Sequence, residues 1–397
     1  MHSVLLLQKQ LEGSLFGIHK RSRDAVWRAV AGLATAGRLW LTALGRSLPG
    51  ATSDKNRIKA ADRMLGSRSV QNAVLLFYRA LAKRLLRRTH RPIIAIDGSI
   101  LDAKHYVLSA QLCWDGRSLP LYQQVFPRAH FGNQQLHEQF LVELGDVIPN
   151  HCRPIIVSDA GYRTPWFNAV AEFGWDYVGR IRDKTDVLFE GSWTPVKKLF
   201  ELAGSKPRDL GLRLFPRTRR NARMRRLVLS KRHRSKGRKR KTRSGGPGRS
   251  TADRRGSVAA REPWLLVTSL TCNCKFVVHA YSMRMQIEQS FRDAKNHRHG
   301  WSLNHVRCGS AKRLHVLLLI ADIAAVVVQI VGWTAASLGL QRHFQANTVT
   351  RRRVLSFFVL GRHAIRREVS FSATVLIRTL GQFAARVALN GLFAARK

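Results

Sequence analysis

Acid is what this sequence lacks. Its 397 residues hold 24 Asp and Glu against 69 Lys and Arg, a formal net charge of +45. A chain that repels itself this strongly needs an anionic neighbour. Nucleic acid is the first candidate, and an anionic membrane surface is the second. Cysteine is scarce too. The five present, Cys113, Cys152, Cys272, Cys274 and Cys308, are odd in number and irregular in spacing. That pattern excludes a disulfide framework and fits a reducing, cytoplasmic setting. Long apolar runs are missing as well. Val316 to Val331 comes nearest, but it covers 16 residues and contains Asp322 and Gln329. A membrane helix needs ~20 apolar residues, and a central Asp costs roughly 2.5–3.5 kcal/mol on insertion. The run therefore reads as a buried core helix, and no membrane is expected as a partner. Met1 to Leu7 offers no small-residue cleavage site, so no signal peptide is expected. Core-forming material is ample. Hydrophobic residues make up 45% and aromatics 8%, which excludes disorder of the whole chain. At ~150 residues per domain the length suggests two or three domains.

Residues 1–85 read as helical. Val26, Val30, Leu33 and Leu39 recur at helical spacing with basic residues between them. After the turn Pro49 to Asp54, Lys55 to Leu65 and Val70 to Leu86 read as further helices. Such a basic module suits DNA, and the competing reading is a helical cap on the main domain. At Arg91 the pattern changes. Pro92 to Ile96, Tyr106 to Trp114 and Leu119 to Phe126 are of strand length, and Asp115-Gly116 marks a hairpin between the last two. A helix is expected over Leu136 to Leu144, a strand over Pro154 to Val157, a helix over Thr164 to Phe173 and a strand over Trp175 to Ile181. That order predicts an α/β fold, a mixed sheet flanked by helices.

From Arg182 to Leu270 the periodicity weakens into short strands at Asp186 to Phe189, Leu210 to Phe215, Met224 to Leu229 and Pro263 to Ser269. Among them lies the tract Arg217 to Arg255, with 18 Lys or Arg against one acid, Asp253. It reads as a solvated basic loop that neutralises phosphates. It supplies +17 of the total and leaves +28 to the remainder, so basicity is not confined to one loop. A single helix is expected over Val278 to His297, then the apolar run, then helix from Thr348 to Lys397.

Two carboxylates end apolar strands. Asp97 closes Ile-Ile-Ala-Ile-Asp, and Asp159 closes Ile-Ile-Val-Ser-Asp. Carboxylates at neighbouring strand ends crowd one another, and a divalent cation such as Mg²⁺ relieves that repulsion. Two such ions ~4 Å apart can activate water and stabilise a leaving 3′ oxygen. The plainer reading is that each Asp caps a turn. The helix from Val278 adds Tyr281, Arg284, Glu288 and Lys295, at steps of three, four and seven that share one helical face. A carboxylate beside a phenol, a guanidinium and an ammonium suits metal binding with phosphates held nearby. An amphipathic surface helix with chance ion pairs is the alternative.

These residues resemble a known family. Tyr-x2-Arg-x3-Glu-x6-Lys at Tyr281, Arg284, Glu288 and Lys295 resembles the signature of the DDE transposases of the Insertion Sequence Four family. Ile-Asp-Gly-Ser around Asp97, Asp-Ala-Gly-Tyr-Arg from Asp159, Glu-Pro-Trp-Leu-Leu-Val-Thr from Glu262 and the segment Lys55 to Leu65 look alike as well. The resemblance runs from about Lys55 to Val331. It implies an RNase H-like fold with a β-rich insertion, and a division into four parts. Residues 1–85 would be a helical DNA-end-binding domain, and 86–182 with 271–335 the catalytic domain. Residues 183–270 would be the insertion with its basic loop 217–255, and 336–397 a C-terminal helical segment. The basic tract is heavier than that pattern carries.

The resemblance further implies cut-and-paste chemistry through a DNA hairpin. Asp97, Asp159 and Glu288 would be the catalytic and metal-binding acids for Mg²⁺, with Mn²⁺ able to substitute. Tyr281, Arg284 and Lys295 would grip phosphates, Trp264 would stack a flipped base, and Arg163 would contact phosphate or form a structural ion pair. The partners would be double-stranded DNA, as terminal inverted repeats and target, and a second copy of the chain on DNA. The setting would be bacterial cytoplasm, at the nucleoid. Two rivals share the charge: a non-catalytic DNA-binding relative and a metal-dependent DNA nuclease. Cys272-Asn-Cys274 with His279 lacks the spacing and second pair of a structural zinc site. His297, His299, His305 and Cys308 read as a basic, phosphate-facing loop.

Overall fold

A computed structural model describes residues 2–182, 185–217, 222–231, 262–346, 348–349 and 352–392. In chain order these form α1 (His2–Glu12), α2 (Lys20–Ala36), α3 (Leu41–Arg46), α4 (Asp54–Gly66), α5 (Arg68–Leu85), β1 (Ile93–Ile100), β2 (His105–Cys113), β3 (Ser118–Pro127) and α6 (Gln134–Val147). Next come β4 (Ile155–Ser158), α7 (Thr164–Glu172), β5 (Asp176–Ile181), β6 (Asp186–Phe189), β7 (Ser192–Pro195) and α8 (Val196–Leu199). Then follow β8 (Arg208–Phe215), β9 (Arg223–Ser230), β10 (Trp264–Thr268), α9 (Cys274–Met283), α10 (Met285–Lys295), α11 (Ala311–Ser337), α12 (Gln341–Phe344), α13 (Phe357–Arg366) and α14 (Ala373–Leu392). The class is α/β, with a large mixed sheet flanked by helices, as expected. The basic tract Arg217 to Arg255 lies mostly outside the described residues; within it, Arg223 to Ser230 is β9.

The chain divides into two compact units, one of Met1–Ile155 with Met283–Arg396 and the other of Ile156–Ser282. In the first, β1, β2 and β3 form an antiparallel meander in which Asp97 faces Ser109 across the ladder. Every residue of β2 is buried, so this part of the sheet is covered on both faces. The cover includes α11, whose 27 residues pack against β3, α2, α5, α13 and α14. Of the described helices it alone is long and apolar enough to cross a membrane, and 89% of its most apolar window is buried inside the protein. Two glycines set its crossing with α13. A Cβ on Gly332 would lie 1.8 Å from the Phe357 carbonyl oxygen, and one on Gly361 would lie 1.9 Å from that of Val328. Only bare backbone permits that approach. Val26, Val30, Leu33 and Leu39 are all buried, so the apolar stripe of the N-terminal helices belongs to this same core. Serine caps start several of these helices. The side chains of Ser53, Ser67, Ser310 and Ser356 accept backbone N–H bonds at the N-termini of α4, α5, α11 and α13.

In the second unit the strand order is β4-β5-β10-β9-β8, and β6 and β7 form a separate hairpin. β10 pairs antiparallel with both β5 and β9, which seats Trp264 opposite Ser230. The weak strand signals after Arg182 therefore correspond to real strands. β6 and β10 are short and β8 lies at the sheet edge, which explains their faint alternation, while β9 is a full strand whose first residues are mostly arginines.

One expectation is corrected. The single helix over Val278 to His297 is two helices, α9 and α10, which meet at Arg284. The backbone ladder changes hands there. The Ile287 N–H donates to the Arg284 carbonyl rather than one residue further back, and the Met283 carbonyl accepts the Cys113 Sγ–H at 3.5 Å. Tyr281 therefore belongs to α9, while Glu288 and Lys295 belong to α10.

Candidate active site

Ile93 to Ile96 are fully sheltered apolar residues, and β1 emerges from the core at Asp97. The Asp97 side chain is 18% exposed, and its Oδ1 accepts the Gly98 N–H at 2.8 Å. Arg284 reaches it from the start of α10. The guanidinium, 10% exposed, donates from Nη1 to Asp97 Oδ2 at 3.1 Å and from Nη2 to Glu288 Oε1 at 2.7 Å. Residues 284 and 288 are one helical turn apart, so the fork of one arginine spans both acids. Lys295 closes the row. Its Nζ donates to Ser99 Oγ and to the Ile100 carbonyl, both at 2.8 Å. Burial pushes its pKa below the usual lysine value. The end of α10 is thus tied to the end of β1 just beyond Asp97.

In the second unit, β4 ends at Ser158 and Asp159 follows at once. Its Oδ1 accepts the Gly161 N–H at 2.7 Å, an Asx turn. A Cβ on residue 161 would sit 3.0 Å from that oxygen, so glycine there keeps the carboxylate seated. Arg163 is exposed at the N-cap of α7 and makes no ion pair among the described residues. Trp264, half-buried on β10, meets buried Tyr281 edge to face, with ring centroids 4.8 Å apart.

The structure thus brings together Asp97, Arg284 and Glu288, ties Lys295 to their strand, and pairs Trp264 with Tyr281. Asp97 lies within β1, three residues before its end rather than closing it as expected, and accepts the next backbone N–H, whereas Asp159 follows β4 and closes a turn. Carboxylate oxygens partly open to solvent are the hard donors that Mg²⁺ takes. A cation already lies between Asp97 and Glu288 and offsets their mutual repulsion. That chemistry fits part of a ligand set for a divalent cation. Among the described residues, no group of three or more His, Cys, Asp or Glu is assembled that could hold a metal ion.

Sequence reasoning missed the back of the helix. Gln286, Ser290 and Asp293 bond to the turn between β2 and β3. Their spacing of four and three marks a polar row in the sequence, on the face opposite the charged row.

The family model for the transposase DDE domain matches residues 88–323, more than half of the chain, a span that includes Asp97, Asp159 and Glu288. No curated protein matches the chain.

Proposed function

The chain belongs to the DDE-domain transposases, and from that premise we propose that it is a cut-and-paste enzyme of the Insertion Sequence Four group, acting through a DNA hairpin. It is a transposase, an enzyme of DNA recombination with an RNase H-like fold and DNA as its partner. The observation that carries the finer reading is the linkage of Asp97 and Glu288 through Arg284. These acids come from segments far apart in sequence and are drawn to one guanidinium.

Asp97, Asp159 and Glu288 would hold the cations, Mg²⁺ or in its place Mn²⁺. Those ions would supply Lewis-acid activation of the attacking oxygen and charge stabilisation of the departing one. Arg284 holds the two acids close while leaving both partly open to solvent. Water would attack the scissile phosphorus at the element's end, so that a new P–O bond forms as the P–O3′ bond breaks, leaving a 5′ phosphate on the flank and a free 3′ hydroxyl on the element. That hydroxyl would then attack a phosphorus of the opposite strand, forming the hairpin's P–O3′ bond and expelling the flanking strand's 3′ oxygen as a hydroxyl. Arg163, Lys295 and Tyr281 would hold phosphates, Lys295 after exchanging its bonds to β1. Residues 1–85 would recognise the terminal inverted repeat, 86–182 with 271–335 would do the chemistry, and the insertion 183–270 would hold the DNA end. A second copy would bind the other end, in bacterial cytoplasm at the nucleoid.

The test uses the DNA that flanks the gene. Incubated with purified protein, Mg²⁺ and a plasmid target, a duplex carrying short inverted repeats from those flanks should be cut at the repeat and joined to the target. Sequenced junctions should show a short target duplication. Binding without cutting would point to a non-catalytic relative. Cutting of any branched duplex without joining would point to a nuclease.

Trp264 separates the two strand steps. Closing a hairpin bends the duplex sharply, which is easier when one base leaves the stack. Stacking of that base on an indole contributes ~1–3 kcal/mol. Trp264→Ala should leave the first nick near its parental rate and slow hairpin closure by roughly 10- to 100-fold. An abasic site at the flipped position should restore part of that rate. Equal loss of both steps with a lowered Tm would instead mark Trp264 as a packing partner of Tyr281.

A further inference from the structure

The helix that carries Glu288 has a second polar row. Gln286, Ser290 and Asp293 share one face of α10, and Glu288 is about 200° around the axis from Gln286 at ~3.6 residues per turn. All three meet the turn between β2 and β3. The Trp114 N–H donates to Gln286 Oε1 at 2.7 Å. The Ser118 N–H donates to Ser290 Oγ at 3.1 Å, and the two hydroxyls lie 2.9 Å apart. Arg117 Nε donates to Asp293 Oδ2 at 2.6 Å in a pair whose side chains are 22% and 17% exposed. With Cys113 on the Met283 carbonyl, one short turn grips the helix from just before its first residue to its last turn.

Apolar packing alone leaves a helix some freedom to roll and slide. Directional bonds at three successive heights do not. A roll of about 10° moves a carboxylate ~6 Å from the axis by roughly 1 Å, and a shift of that size can cost ~10²-fold in rate. We infer that the Cys113–Ser118 turn is a positioning clamp that fixes the rotation and height of α10, with Arg117 and Asp293 as its charged latch, and so sets Glu288 for cation binding. This rests on the proposed role of Glu288. The latch suits that task because it is partly sheltered from solvent and lies on the side of the helix away from the acid row. Burial raises the Asp293 carboxyl, and the Arg117 guanidinium, with His299 as a lesser neighbour, opposes that rise.

The test measures cation binding and cleavage separately in the full-length protein. Mn²⁺ affinity is read by electron paramagnetic resonance, and the Mg²⁺ dependence by nicking of a cognate DNA end. Arg117→Ala and Asp293→Asn should each weaken Mn²⁺ binding by about 10-fold and raise the half-saturating Mg²⁺ by a similar factor, as losses beyond the ligands themselves do. Tm should move by only a few degrees, and Arg117→Lys should recover part of the affinity. Glu288→Gln is the control. If it abolishes cleavage while Arg117→Ala binds Mn²⁺ and titrates with Mg²⁺ as the parent does, the clamp is overturned and the catalytic reading stands. If Glu288→Gln itself behaves as the parent, the catalytic reading fails and the clamp falls with it. A large drop in Tm with no recovery by Arg117→Lys assigns the pair to folding and overturns the proposal too.

Discussion

Asp97→Asn, Asp159→Asn and Glu288→Gln are each expected to lower metal-dependent strand cleavage by at least ~10³-fold, the factor that roughly 4 kcal/mol of lost transition-state stabilisation implies. The amide variants are the informative ones. Asp97 and Asp159 each accept a backbone N–H, from Gly98 and Gly161, and an asparagine oxygen can still accept it. The local backbone bonds therefore survive while the charge and the anionic oxygen pair are lost. Alanine would remove both at once. The three variants differ in what they leave behind. Without Asp97 or Glu288 the largely buried Arg284 keeps one carboxylate partner, so some loss of Tm is expected alongside the loss of cleavage. Among the described residues no such cation pairs with Asp159, and its variant should keep the parental Tm. DNA binding should hold steady or tighten slightly in all three, since each removes a negative charge next to phosphate. A folded amide variant that nicks a cognate end at the parental rate removes that residue from the catalytic set.

Much of this site was legible because its chemistry is compressed into local patterns. Asp97 and Asp159 stand where buried β-branched runs stop, and that boundary is marked in the residues themselves. Arg284 and Glu288 lie one helical turn apart, and the ion pair this spacing permits is the one observed. What the sequence could not carry is the partner of each group. Nothing near Arg284 in the chain announces that its other hand goes to Asp97, and nothing near Lys295 names Ser99. The break between α9 and α10 was hidden for the same reason. The group found at the break is a cysteine on a distant strand, whose thiol donates to the Met283 carbonyl, while no Gly or Pro in the local sequence marks it. The turn at Asp115-Gly116 was read as a hairpin signal, correctly, yet its contacts with α10 come from Trp114, Arg117 and Ser118, residues with no motif of their own. The length and the central acid of the apolar run after Val316 point to the core, but in the sequence that acid is only a cost. The structure supplies what answers that cost.

Asp322→Asn is expected to flatten the pH dependence of stability. Asp322 lies in the middle of α11 and is buried. Its Oδ2 accepts the Tyr78 hydroxyl at 2.8 Å, from α5, and its Oδ1 accepts the Gln123 amide at 2.6 Å, from β3. Those bonds favour the charged form, but burial outweighs them and pushes the carboxyl up to about 8. The same desolvation, with Asp322 as neighbour, raises the Tyr78 phenol, so both groups stay neutral at pH 7. The sign follows from linkage. Below pH ~4 the acid is protonated in the folded and the unfolded chain alike, and it sets no slope. Between ~4 and 8 the unfolded chain ionises while the folded one does not, so stability falls by up to ~1.4 kcal/mol per pH unit. Above 8 the loss is complete. Asparagine cannot titrate, yet its oxygen can still accept the Tyr78 hydroxyl. Near pH 4 the variant should lie within ~1 kcal/mol of the parent, the scale of one altered hydrogen bond. At pH 8.5 it should be the more stable by several kcal/mol. Asp322→Ala should instead be weaker than Asp322→Asn at every pH, because it strands the Tyr78 hydroxyl and the Gln123 amide without an acceptor. Urea unfolding followed across this range measures all three curves. Parallel curves for parent and asparagine variant would mean that Asp322 is ionised in the folded protein, held by Tyr78 and Gln123 as a charge rather than as an acid.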